Sequence, residues 1–207
     1  MSHSTDHGSQ LMLRIQTGEI EAFEELVELF KRPVVSLIYR IVRDLDEAED
    51  IAQNTFIQVY KSADRYTPTA KFSTWLFTIA RNLSLNELRR RSRKPAFSLE
   101  SSGAGEGEAG GGMSEVLEDR HTDRPAEKTM EHELETLIVE ALGDLPENQR
   151  TALTLYRDND MSYEDIADVL GCSLSAVKST IHRARETLKR RLKPYLRSGE
   201  WHFSPTA

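Results

Sequence analysis

The run from Ser101 to Gly112, Ser-Ser-Gly-Ala-Gly-Glu-Gly-Glu-Ala-Gly-Gly-Gly, constrains this chain more than any other stretch. Glycine loses the most backbone freedom on folding, and a segment without aromatic or β-branched residues has little apolar surface to bury in return. Residues 95–128, opened by Pro95 and continuing into an acidic stretch, therefore read as a flexible linker. Two blocks remain, at about residues 10–94 and 129–197, and each needs a core of its own.

Both blocks carry the helical period. Phe23, Leu26, Val27 and Phe30, then Val34, Leu37, Ile38, Ile41 and Val42 recur at spacings of three and four, with Pro33 making two helices or one kinked helix. A third helix is predicted from Asp46 to Tyr60, with carboxylates at its electropositive start and Ala48, Ile51, Ala52, Thr55, Phe56 and Val59 facing inward. After Tyr66-Thr67-Pro68-Thr69 a fourth helix runs from about Ser73 to Arg91 and becomes basic towards its end. No strand-type alternation of useful length occurs, so the predicted fold is all-α, with two helical domains.

In the second block a helix is expected from Met130 to Leu142, and another opens at Pro146 as its first helical residue. Ser162 with Asp165 has the capping-box spacing, Gly171 suits a left-handed helix end, and a long helix follows to about Leu196. Short helix, glycine turn and long basic helix form the helix-turn-helix pattern. Val177, Ile181, Ala184 and Leu188 fall on one side of the long helix. Ser175, Ser179, His182, Arg183 and Glu186 fall opposite, with Lys178, Lys189 and Arg190 on the flanks. Hydroxyls, imidazole and guanidinium suit base edges, while flanking cations suit phosphates. A solvated face in an ordinary bundle has the same composition.

The 207 residues carry a net charge of −7, which taken alone repels nucleic acid. Counted by segment it is −5 over 1–70, +6 over 71–94, −7 over 95–133, −7 over 134–172 and +6 over 173–207. Two basic segments in an acidic chain suit a protein that touches a polyanion at two places. In the first, Phe72, Trp75 and Phe77 precede Arg81 and the Arg89 to Lys94 cluster, and Trp75, Thr78, Asn82, Asn86 and Arg89 line one helix face. Rings beside cations suit unpaired bases, although a Trp and Phe pair on a helix also suits a core.

Other classes are disfavoured. A single cysteine, Cys172, forms no internal disulfide, and no Cys or His has metal-ligand spacing. No window reaches 18 apolar residues and Met1–Gln10 lacks a basic start, so neither a membrane span nor a secretory signal is predicted and a cytoplasmic location is expected. No P-loop or nucleophile grouping is found, so no cofactor, metal or catalytic activity is expected.

Three stretches in order carry a family resemblance: Asp46 to Phe56 (DEAEDIAQNTF), Phe72 to Asn82 (FSTWLFTIARN), and Leu145-Pro146 followed by Tyr163 to Ala167 (YEDIA) and Val177 to Arg185 (VKSTIHRAR). The chain resembles bacterial RNA polymerase sigma factors of the sigma-70 family, in the extracytoplasmic-function (ECF) group that keeps regions 2 and 4. The resemblance implies that Asp46, Glu49, Asp50, Gln53, Asn54 and Phe56 meet core RNA polymerase. It implies that Phe72, Trp75, Thr78, Arg81, Asn82, Asn86 and Arg89 recognise and open the −10 promoter element. Ser175, Lys178, Ser179, His182, Arg183 and Arg185 would read the −35 element, and an anti-sigma factor would be a further partner. By the same resemblance residues 10–94 are region 2 and 129–197 region 4. The alternative is a helix-turn-helix regulator that acts without polymerase. Two departures from the family pattern, the long Gly-rich linker and His182, bear on promoter preference.

Overall fold

The computed structural model describes residues 6–93, 137–138 and 140–193, and every regular element among them is helical. In chain order they are α1 (His7–Gln16), α2 (Ile20–Val42), α3 (Leu45–Lys61), a 3-10 turn (Ala63–Arg65), α4 (Phe72–Arg93), α5 (Glu147–Asp158), α6 (Tyr163–Leu170) and α7 (Leu174–Leu192). The linker at 95–128, residues 130–136 of the helix expected from Met130, and the final turn expected at 194–196 lie outside the described residues.

The first bundle packs α1 to α4. The sequence reading starts it at Gln10 and assigns no helix ahead of Phe23, yet α1 begins at His7, capped by Asp6, whose carboxylate accepts from the Ser9 N–H at 3.2 Å. Leu11 and Met12 of α1 are fully buried. The same Asp6 carboxylate accepts from the Phe72 N–H at 3.1 Å, so one side chain satisfies free donors at the starts of two helices. Gly8 lies against Phe72, and a Cβ there would sit 2.5 Å from Phe72 Cδ1. Gly8→Ala is accordingly expected to destabilise the chain by about 1–3 kcal/mol through overpacking, checked by urea unfolding.

Pro33 lies inside a single helix, α2. The residue whose carbonyl loses its partner there, Leu29, is exposed, so water can replace the missing N–H. Asp44 caps α3 by accepting from the Glu47 N–H at 3.0 Å. Ala48, Ile51, Ala52, Thr55, Phe56 and Val59 are its buried residues, as its period predicts.

The second bundle is α5 to α7. Pro146 precedes α5 as its N-cap with an extended backbone, one position earlier than the expected first helical residue. Ser162 and Asp165 form the predicted capping box, and Gly171 ends α6 at φ 64°, where a side chain would cost about 1–2 kcal/mol. Val177, Ile181, Ala184 and Leu188 are buried beneath α7.

The two bundles are in contact. Helix α6 packs on α4, α5 packs on α2, and one apolar cluster runs from Leu11 to Leu192. The sequence reading treats the blocks as separate bodies on a tether. The shared apolar cluster holds them together, and α6, of the −7 segment, meets α4, of the +6 segment, with opposite charge, whereas α5 packs on α2 of the −5 segment.

Candidate nucleic-acid interface

A cleft of about 750 Å³ opens where the 3-10 turn and the loop after it meet the start of α4. Lys61, Arg65, Tyr66, Thr67 and Trp75 line it, and Asp168 of α6 closes one side. The Tyr66 and Trp75 rings lie 5.2 Å apart at 52°. Beneath them Phe72 is fully buried, 5.1 Å from the Phe30 ring and 5.9 Å from Trp75. The structure thus separates the rings that the sequence groups together. Trp75 is half-buried and borders the cleft, whereas Phe72 and Phe77 lie in the core. Phe72 supports the cleft from below and offers no free face for stacking, because its neighbours come from α1 and α2.

Tyr66 is the aromatic that residue-level reading leaves unassigned, since a loop tyrosine has no periodic partner. Its hydroxyl is hydrogen-bonded to Ser9 Oγ at 2.8 Å, and Ser9 Oγ donates to Asp6 at 2.8 Å. Burial pushes the Tyr66 phenol above its ordinary pKa, against the opposing hydrogen bond from Ser9, so it stays neutral. Gln16 Nε2 donates to the carbonyls of Ala63 and Asp64, each at 3.1 Å. Helix α1 therefore fixes the wall of the cleft.

Along α4, Thr78 turns its hydroxyl to the Thr74 carbonyl at 2.7 Å, and Asn82, Asn86 and Arg89 are exposed. Arg89 donates to the Asn86 side chain at 3.2 Å. Arg81 points into the other bundle, where it donates to Asn148 Oδ1 at 2.9 Å and pairs with Glu147 at 3.5 Å.

On α7, Ser175, Lys178, Ser179, His182 and Arg183 are all exposed on the side away from the buried residues. Arg185 departs from them. It is half-buried, with its guanidinium carbon 4.9 Å from the centre of the Tyr156 ring on α5. On α3, Asp46, Glu49, Asp50, Gln53 and Asn54 are exposed, whereas Phe56 is in the core at 6% exposure. Ile57 and Tyr60, each 48% exposed, extend that surface. The signal for them was their absence from the inward set of α3.

Three further polar links join the bundles, two to Asp165 beside the cleft and one away from it. Lys71 Nζ lies 2.7 Å from Asp165 Oδ2, Thr74 Oγ1 donates to Asp165 Oδ1 at 3.2 Å, and Arg40 pairs with Asp158 at 2.9 Å. Burial alone would raise the Asp165 carboxyl, but hydrogen bonds from Lys71, Ser162 and Thr74 outweigh it and hold the group below the usual carboxylate range. Among the described residues no cluster of three or more His, Cys, Asp or Glu side chains is placed to hold a metal ion, and no helix is long and apolar enough to cross a membrane.

Comparison with known proteins gives this arrangement its relatives. Residues 26–94 match the family described as Sigma-70 region 2, and residues 135–188 match Sigma-70, region 4. The chain is 36% identical over 196 residues to the RNA polymerase sigma-H factor of Pseudomonas aeruginosa, covering 93% of this chain and 97% of the relative. It is 33% identical over 180 residues to the ECF RNA polymerase sigma factor SigW of Bacillus subtilis, covering 87% and 94%. Among solved structures, the sigma factor RpoE from Bartonella quintana, determined with the anti-sigma factor NepR, shares the fold at TM-score 0.61 and 24% identity, over 83% of this chain and 96% of that one. With both regions matched in order and relatives aligned over most of its length, the chain belongs to the sigma-70 family of RNA polymerase sigma factors, in its ECF group.

Proposed function

We propose a division of labour for this sigma factor among three surfaces, all acting by binding, with no catalytic step of the chain's own. The exposed acidic start of α3, from Asp46 to Asn54, meets core RNA polymerase. The Tyr66 and Trp75 cleft, with Thr78, Asn82, Asn86 and Arg89 beyond it, takes the melted −10 element. The outer face of α7 reads the −35 element through the major groove. The observation that carries this reading is the segregation on α7, where five apolar residues are buried and Ser175, Lys178, Ser179, His182 and Arg183 are all exposed behind a capped helix and a left-handed glycine turn.

The chemistry of the two DNA sites differs as their substrates do. Base pairs offer hydrogen-bonding edges in the major groove, which suits hydroxyls and a guanidinium on a helix. Extruding a base costs a few kcal/mol, which rings and an enclosed cleft can recover by stacking. Residues 10–94 act as region 2, residues 129–197 as region 4, and residues 95–128 as the linker between them.

The proposed partners are core RNA polymerase, promoter DNA and an anti-sigma factor, and the proposed location is cytoplasmic. The Bartonella protein of the same fold was determined with an anti-sigma factor. A regulator independent of polymerase is not favoured, because the curated relatives that match over most of the chain are sigma factors.

The test is in vitro transcription with purified core polymerase and a promoter library. Specific initiation on adding the chain is expected, and its absence would refute the reading. Trp75→Ala is expected to leave closed complexes intact and to slow opening roughly 10-fold or more, from about 1–3 kcal/mol of stacking per base. Permanganate reactivity of promoter thymines reads this directly, and unchanged reactivity would remove Trp75 from the site.

A further inference from the structure

The end of α2 gathers positive charge that its surroundings leave unbalanced. Arg43, the C-cap of α2, lays its guanidinium against Gly143, where a Cβ would collide with it. The carbonyl of the same glycine accepts from Arg150 Nη1 at 3.0 Å, so two guanidinium groups meet on one residue. Arg40 adds its charge from one turn earlier on α2. Burial and the Arg43 charge lower the Arg150 pKa, with Glu147 opposing them and Arg40 assisting. A guanidinium nevertheless stays protonated, so the repulsion persists in the fold.

The carboxylates nearby are engaged by other groups. Asp158 pairs with Arg40 at 2.9 Å, while Glu147 pairs with Arg81 at 3.5 Å and accepts from the Thr151 hydroxyl at 3.0 Å. Arg43 takes part in no ion pair among the described residues. Arg150 is 8% exposed, and its Nε–H has no hydrogen-bond partner among the described residues. The buried Thr154 hydroxyl, one turn along the same face of α5, has none either. A buried cation and a buried hydroxyl left in this state are costly unless an acceptor meets them.

We propose that Arg43, Arg150 and the Thr154 hydroxyl, with Arg40 beside them, form a binding site for a small phosphate-bearing anion between the end of α2 and α5. A guanidinium fork matches phosphate oxygens, and a phosphate has oxygens enough to serve two forks and a hydroxyl together, which a carboxylate has not. The burial of Arg150 suits an anion that enters alone more than a phosphate fixed in a duplex backbone. None of these residues belongs to the three surfaces assigned above, so the site stands independently of those assignments.

Isothermal titration of the full chain with inorganic phosphate, at an ionic strength held constant with chloride, is expected to show one saturable site. Arg43→Gln should weaken it at least about 5-fold, as loss of a charged hydrogen-bond donor does. Gly143→Ala keeps every charge but sets a methyl where the Arg43 guanidinium lies, and should weaken it at least about 3-fold. Lys31→Gln removes the same charge from an exposed position on α2 and should change it by less than about 2-fold. Absence of a saturable site, no loss with Gly143→Ala, or equal loss with Arg43→Gln and Lys31→Gln would overturn the proposal. A fluorescein-labelled random duplex, followed by anisotropy, tests the other source of phosphate. Arg43→Gln is expected to leave duplex affinity within about 2-fold, and a loss as large as that for inorganic phosphate would assign the site to nucleic acid instead.

Discussion

Replacing Phe72 with alanine is expected to cost about 3–5 kcal/mol of stability, the range for emptying a buried phenylalanine site. Phe72 is fully buried at the junction of three helices, with Phe30 of α2 5.1 Å away, Gly8 of α1 against its ring and Trp75 5.9 Å along α4. Its N–H is also held by Asp6. The surroundings are poorly able to collapse into the void, because Gly8 has no side chain to move and both neighbouring rings are held by their helices. Small domains are only about 5–15 kcal/mol stable, so the variant should unfold at markedly lower urea and lose promoter opening through loss of structure. Trp75→Ala, half-buried at the cleft, should lose opening with a much smaller shift. A midpoint for Phe72→Ala close to that of the wild type would contradict the buried placement and return its ring to the DNA.

The second large effect is on α7. Arg183→Ala is expected to reduce initiation by about 1–3 kcal/mol, roughly 5- to 150-fold, on a promoter with an intact −35 element. On a promoter whose −35 element is scrambled the same variant should have little further effect. Lys178→Ala should weaken binding to all sequences more evenly and reduce the salt slope by about one, as loss of a phosphate contact does. Both side chains are exposed and lie away from the buried Val177, Ile181 and Ala184, so neither substitution should disturb the fold. An Arg183→Ala penalty of equal size on both promoters would show that this arginine meets backbone and not base.

Elements whose signals are local could be read from residue order. The inward set of α3 follows the 3.6-residue period, and the boundary of α6 follows from Ser162, Asp165 and Gly171, all within ten residues. The missing parts depend on partners far along the chain. Helix α1 crowds its apolar residues into Leu11 to Ile15, too short a run to show a period, and its capping carboxylate also serves Phe72, 66 positions away. Phe72 and Trp75 look alike in sequence, and only Phe30 and Gly8 decide which ring is enclosed. The charge blocks of +6 and −7 were visible, but the pairing of Lys71 with Asp165 across 94 positions was not, because a basic segment that suits DNA also suits an acidic helix. Arg185 looked equivalent to Arg183, yet a tyrosine on α5 takes up its guanidinium.

The part of the chain that resembles region 2 begins at residue 26, but the loop bearing Tyr66 is held by Asp6, Ser9 and Gln16. The transplantable unit of promoter specificity is therefore longer than the recognisable one. A chimera that exchanges residues 26–94 with a relative would set a foreign loop on a helix that does not fit its carbonyls and hydroxyls, and one that begins at residue 6 would carry its own template.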